Sequence, residues 1–145
     1  MNNIESNFVP YQIALDLKSI GFDEPCFMFY EQETGSEYLQ KGIVDDYWGD
    51  YSEPRDWNSI PNKPWKPFCQ CISAPTYSQA FKFFREKYEL DCFIDRGSRK
   101  GVYCAFVGGS KHGWLYGNNE NNPSEFTYEE AELACLRKLI EIVKK

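Results

Sequence analysis

The stretch DDYWGDYSEPRDWNSIPNKPWKP, residues 45–67, sets the first limit on how this chain can fold. It carries four of the eight prolines and three of the four tryptophans. Proline has no amide hydrogen and a fixed φ, so neither a helix nor a central strand can run through such a spacing. The stretch therefore predicts a long loop, and structureless loops of this length are usually functional or disordered. Its acidic, aromatic content fits a protein-binding surface, because aromatic side chains dominate interface hot spots. Tyr47, Trp48, Tyr51, Trp57 and Trp65 are the candidate contacts. The competing use of the tryptophans is to fold back onto the domain's own sheet.

Around this loop the apolar periodicity predicts ordinary elements. A helix is expected over 10–20, with Pro10 in its first turn, Gly21 just past its end, and Ile13, Ala14, Leu17 and Ile20 as its stripe. A second is expected over 77–88, where Thr76 and Gln79 match a capping box, and a third over 128–143, where Thr127 and Glu130 match another. Glu129, Glu130 and Glu132 stand at the positive end of the third helix and Arg137, Lys138, Lys144 and Lys145 toward its negative end, the order its dipole favours. Strands are expected at 25–30, 37–43, 68–73, 90–95, 102–107 and 113–117. Together these predict an α+β fold: one antiparallel sheet of five to six strands, three helices mainly on one face, and a single domain over 1–145. Each half also runs Pro, Tyr, short helix, then Cys-Phe opening a strand, with Ala14 to Cys26 and Ala80 to Cys92 at equal spacing. A helix–hairpin duplication sharing one sheet would produce this, and so would coincidence between two ordinary helix–strand units.

The 145 residues suffice to bury a core without staples, and 42% apolar content argues against disorder. No window approaches the roughly 20 apolar residues of a membrane span. The opening MNNIESNFVP has neither a basic region nor an apolar core, so no signal peptide is expected. Six cysteines could suggest a disulfide framework, but Cys26, Cys92, Cys104 and Cys135 fall in apolar runs and read as buried thiols. Cys69 and Cys71, as C-Q-C, lack the spacing and the partner ligands of a zinc site, and His112 is the only histidine. No residues converge as a nucleophile with its base, so no catalytic residue, metal or cofactor is expected.

The net charge of −6 disfavours non-specific binding to nucleic acid or anionic membranes. Residues 31–56 are acidic, whereas 82–111 lean basic. In that second region Arg99, Lys100, Lys111, His112 and Trp114 make a candidate site for a small nucleotide, around the glycine-bearing FVGGSKHGW of 106–114. A hairpin turn explains those glycines equally well. Arg96, Arg99 and Lys100 are the candidate contacts for a nucleic acid.

Residues 76–145 resemble, in the order helix–strand–strand–strand–helix, the double-stranded-RNA-binding domain. That family's lysine-rich start of the last helix falls on YEEAE, 128–132, and its proline- and histidine-bearing first loop falls on RGSRKG. Both departures strike the RNA-binding surface, so RNA binding is not expected from this resemblance. The stretches FVPYQIALDLKSIGFDEPCF (8–27), APTYSQAFKFFREKY (74–88) and FTYEEAELACLRKLIEIVKK (126–145) resemble a family of small proteins from phages, prophages and mobile elements of Bacteroides-group gut bacteria. The resemblance implies a phage or prophage accessory protein in the host cytoplasm. With it comes the expectation of a non-enzymatic binder of a host protein, with nucleotide sequestration or nucleic-acid binding as the alternatives.

Overall fold

The computed structural model describes residues 7–31, 39–41, 54, 56–59, 71–97, 101–109, 113–117 and 126–145. In chain order these hold α1 (Tyr11–Ser19), β1 (Met28–Glu31), β2 (Leu39–Lys41), a 3₁₀ turn (Trp57–Ser59), β3 (Cys71–Ala74), α2 (Tyr77–Tyr88), β4 (Asp91–Arg96), β5 (Tyr103–Gly109), β6 (Gly113–Gly117) and α3 (Tyr128–Lys144). The α+β class with three helices is as the periodicity predicts. The single sheet of five to six strands is not. The strands form two separate three-stranded antiparallel sheets, ordered β2-β1-β3 and β4-β5-β6. The chain divides into two compact units, Met1–Gln79 and Ala80–Lys145, and the division falls within α2.

The first unit shows why its sheet stops at β3. Successive residues of a strand direct their backbone groups to alternate sides. On the side of β3 away from β1, the Cys71 carbonyl accepts from Lys18 Nζ at 3.4 Å, and the Ser73 N–H donates to Asn58 Oδ1 at 2.9 Å. The Pro75 carbonyl, next on that side, accepts from Val9 N at 3.0 Å. A fourth strand has nowhere to bond along these groups, so the outer edge of β3 ends the sheet. The expected duplication sharing one sheet fails with it. The third strand joins the first strand of the hairpin in this unit and the second strand of the hairpin in the other.

α1 ends as Gly21 predicts. With φ at +89°, Gly21 takes the left-handed conformation that costs a side-chain-bearing residue energy. Its N–H bonds Lys18 O at 3.1 Å, and the Phe22 N–H bonds Leu17 O at 3.0 Å, which satisfies two of the last helical carbonyls. Phe22 and Leu17 are both buried beneath this turn. Ile13, Ala14, Leu17, Phe29, Tyr30 and Ile72 continue the core of the unit.

Both expected capping boxes form, the first at the end of the first unit and the second within the second unit. Gln79 N donates to Thr76 Oγ1 at 3.2 Å and Thr76 N to Gln79 Oε1 at 3.0 Å, at the head of α2. Glu130 N donates to Thr127 Oγ1 at 3.2 Å and Thr127 N to Glu130 Oε1 at 3.3 Å, at the head of α3. α3 packs on β5 and β4 and buries Ala131, Cys135, Leu136, Leu139 and Ile140. Glu89, at φ +55°, reverses the chain between α2 and β4. Opposite it, a Cβ on Gly109 would stand 2.3 Å from the Glu89 carbonyl oxygen, so only glycine lets β5 pass this turn. No helix among the described residues is long and apolar enough to cross a membrane.

Candidate functional site

Directly opposed residues of an antiparallel pair share a face of the sheet. Cys92 opposes Val107 and Ile94 opposes Ala105, which builds one face of the β4–β5 hairpin. α3 covers that face, and Ala105 and Val107 are fully buried. Phe93 opposes Phe106 on the other face, with ring centroids 4.7 Å apart and planes only 14° from parallel. Phe93 is nevertheless 42% exposed. Asp91 and Asp95 lie two residues to either side of it, on the same face, and both are exposed. Neither carboxylate is in an ion pair among the described residues. Among the described residues, Asp95 accepts a hydrogen bond from its neighbour's amide, Arg96 N, at 2.8 Å. An exposed aromatic ring stacked on a half-buried one between two exposed carboxylates is a surface suited to contact, whereas scattered single apolar residues such as Phe27 need no such reading.

The same strand offers its backbone. Gly97 N donates to Val102 O at 2.8 Å, which fixes 97 and 102 as a hydrogen-bonded pair. Alternation then assigns the bonded pairs to Asp91, Phe93 and Asp95, and turns the backbone groups of Cys92, Ile94 and Arg96 away from β5. The Tyr103 N–H, opposite Arg96, correspondingly bonds Phe126 O at 2.9 Å on the far side. Among the described residues of the unit, no hydrogen bond reaches the outward N–H or C=O of Cys92 or Ile94. Among the described residues of this unit, the outer edge of β4, a strand six residues long, carries no backbone partner.

The residues singled out from the sequence fall differently. Trp57 is only 4% exposed. Its Nε1 donates to Cys26 O at 2.7 Å and its ring lies 4.4 Å from that of Phe29. It packs onto its own unit's sheet and is not presented to a partner. Tyr47, Trp48, Tyr51 and Trp65 lie outside the described residues, as do Arg99, Lys100, Lys111 and His112. Trp114 is placed by backbone register opposite Gly108, at an irregularity between β5 and β6. Of the proposed nucleotide contacts, only the backbone of Trp114 therefore falls among the described residues. Arg96 is exposed on β4, and Glu129 and Glu130 are exposed at the start of α3. Glu130 caps that helix, so its acidity there serves the backbone.

Phe93, Phe106, Asp91 and Asp95 were not expected as a site. Their signal was present as strict alternation, Asp91-Phe93-Asp95 against Cys92-Ile94, but it required knowing which face the third helix covers. Cys26 and Cys135 are buried thiols as the sequence predicts, whereas Cys92 and Cys104 are only half-buried, Cys104 because it opposes Asp95 on the outer face of the hairpin. Burial, helped by the nearby negative charges of Asp56 and Glu24, pushes the Cys26 thiol up to about 12. Cys92 is likewise pushed up, first by its hydrogen bond with Cys135 and then by burial. Both are inert, protonated packing groups at neutral pH. Among the described residues, no three histidine, cysteine or acidic side chains are gathered closely enough to hold a metal ion. Comparison with protein-family models, with curated proteins and with solved structures gives no match to this chain.

Proposed function

We propose that this chain is a non-enzymatic binding protein that engages a host protein through the outer side of the β4–β5 hairpin. The observation that supports this is Phe93, exposed and stacked on Phe106 between two exposed carboxylates that form no ion pair among the described residues. An aromatic anchor with a charged rim is the usual anatomy of a protein interface. The host context follows from the phage and prophage resemblance of the three sequence blocks, and the 45–67 segment would add aromatic contacts to the same kind of partner.

A photocrosslinking amino acid placed at position 93, with the exposed Arg137 of α3 as the control position, tests this in host lysate. The expected result is a discrete crosslinked protein from position 93 and none from 137. Crosslinks of equal yield from both positions, or none from 93, overturn the reading.

A further inference from the structure

We infer that the partner is taken by strand addition on β4, and that the added strand carries basic, aromatic, basic residues at alternate positions. This rests on the reading that the outer side of the hairpin binds a protein. Two observations lead to it independently.

The first is backbone. The chain closes the outer edge of β3 with Lys18, Asn58 and the Val9 amide, one group after another. Along β4 the corresponding groups of Cys92 and Ile94 have no such cover among the described residues of their unit. An extended segment laid beside β4 would satisfy them, as sheet edges do when they accept a further strand.

The second is charge, and it decides the occupant. A second copy of this chain could pair β4 with β4 about a two-fold axis. With the axis at Phe93, Asp91 of each copy opposes Asp95 of the other. With the axis at Ile94, Asp95 of each copy lies diagonal to Asp95 and Asp91 of the other. Like charges so placed are destabilising. A nucleic acid would bring phosphates to the same carboxylates. A strand with lysine or arginine opposite Asp91 and Asp95, and an aromatic residue opposite Phe93, instead places opposite charges and rings in direct cross-strand pairs. On the other face, small or β-branched residues would oppose Cys92 and Ile94.

The test uses the full chain and two capped peptides, Gly-Lys-Thr-Phe-Thr-Arg-Gly and Gly-Glu-Thr-Phe-Thr-Glu-Gly. Affinity is measured by titration, and exchange of the Cys92 and Ile94 amide hydrogens is followed by NMR. The basic peptide is expected to bind about tenfold more tightly than the acidic one. It should slow exchange at both amides. In the Asp91→Lys, Asp95→Lys double variant, whose sites are exposed and whose fold is checked by circular dichroism, the preference should reverse. Binding without amide protection would overturn strand addition while leaving the face as a binding surface. Absence of the basic preference, or of its reversal, would overturn the partner chemistry. If the position-93 crosslink still captured a protein, the broader reading would survive that failure; if it did not, both would fall.

Discussion

Asn58 sits in the proline-rich stretch and ties two parts of its unit together. Its Oδ1 accepts from the Ser73 N–H at 2.9 Å and its Nδ2 donates to Phe22 O at 2.9 Å. Ser73 is fully buried, so its amide has no access to water if Asn58 is shortened. A buried donor left without a partner costs about 1–3 kcal/mol. We expect Asn58→Ala to lower the free energy of unfolding by about that amount in urea titration. A loss no larger than that of an ordinary surface substitution, about 0.5 kcal/mol, would show that the edge of β3 is not held by this side chain. Nothing in the sequence marks Asn58. Its partners lie 15 and 36 positions away, and an asparagine among prolines reads as a turn residue. Trp57 was equally ambiguous: its indole suits a hot spot or a core, and only the Cys26 carbonyl and the Phe29 ring decide for the core.

Helix ends and faces were legible because their causes are local. Thr76 with Gln79, Thr127 with Glu130, and Gly21 each bond groups within five residues, so spacing alone identifies them. Strand bounds were less so: β1 begins at Met28 because Pro25 and Cys26 precede the paired residues, and β5 continues to Gly109 through glycines that suggested a turn. Gly109 belongs to the strand, and its requirement is steric. We expect Gly109→Ala to cost about 1–3 kcal/mol, since its Cβ meets backbone that cannot give way as a side chain would. A thermal denaturation midpoint within a degree or so of the parent's would show that β5 shifts freely past Glu89. On α3, Glu132 is raised from its ordinary 4.5, first by desolvation and then by the charge of Glu129. A carboxyl whose pKa is raised on folding favours the protonated state in the fold. Its contribution is fully favourable below the unfolded value and is lost as pH rises through the folded one. Glu132→Gln is therefore expected to be more stable than the parent at neutral pH, with the advantage vanishing below pH 4.5. An advantage independent of pH would assign the gain to packing.

At the scale of the whole molecule, the number of sheets could not be read from strand-like runs. Whether a run extends a neighbour depends on what closes the neighbour's edge. The Lys18 contact that helps to close β3 spans 53 positions. Counting apolar runs gave nearly the right strands, and the assumption that they join gave one sheet where there are two. The net charge, by contrast, is legible at once, and its consequence is kinetic. A protein carrying −6 draws a cationic partner from a distance, and salt screens that attraction over about 8–10 Å at near-physiological ionic strength. For the basic strand peptide, the association rate is expected to fall with added salt while the dissociation rate changes little, as stopped-flow measurement would show. The Asp91→Asn, Asp95→Asn double variant separates local from global charge. If the two carboxylates beside Phe93 guide the encounter, this variant loses most of the salt dependence although the rest of the acidic surface is untouched. If the slope survives, the field of the whole molecule does the steering, and the two aspartates act only after contact, by fixing which strand can stay.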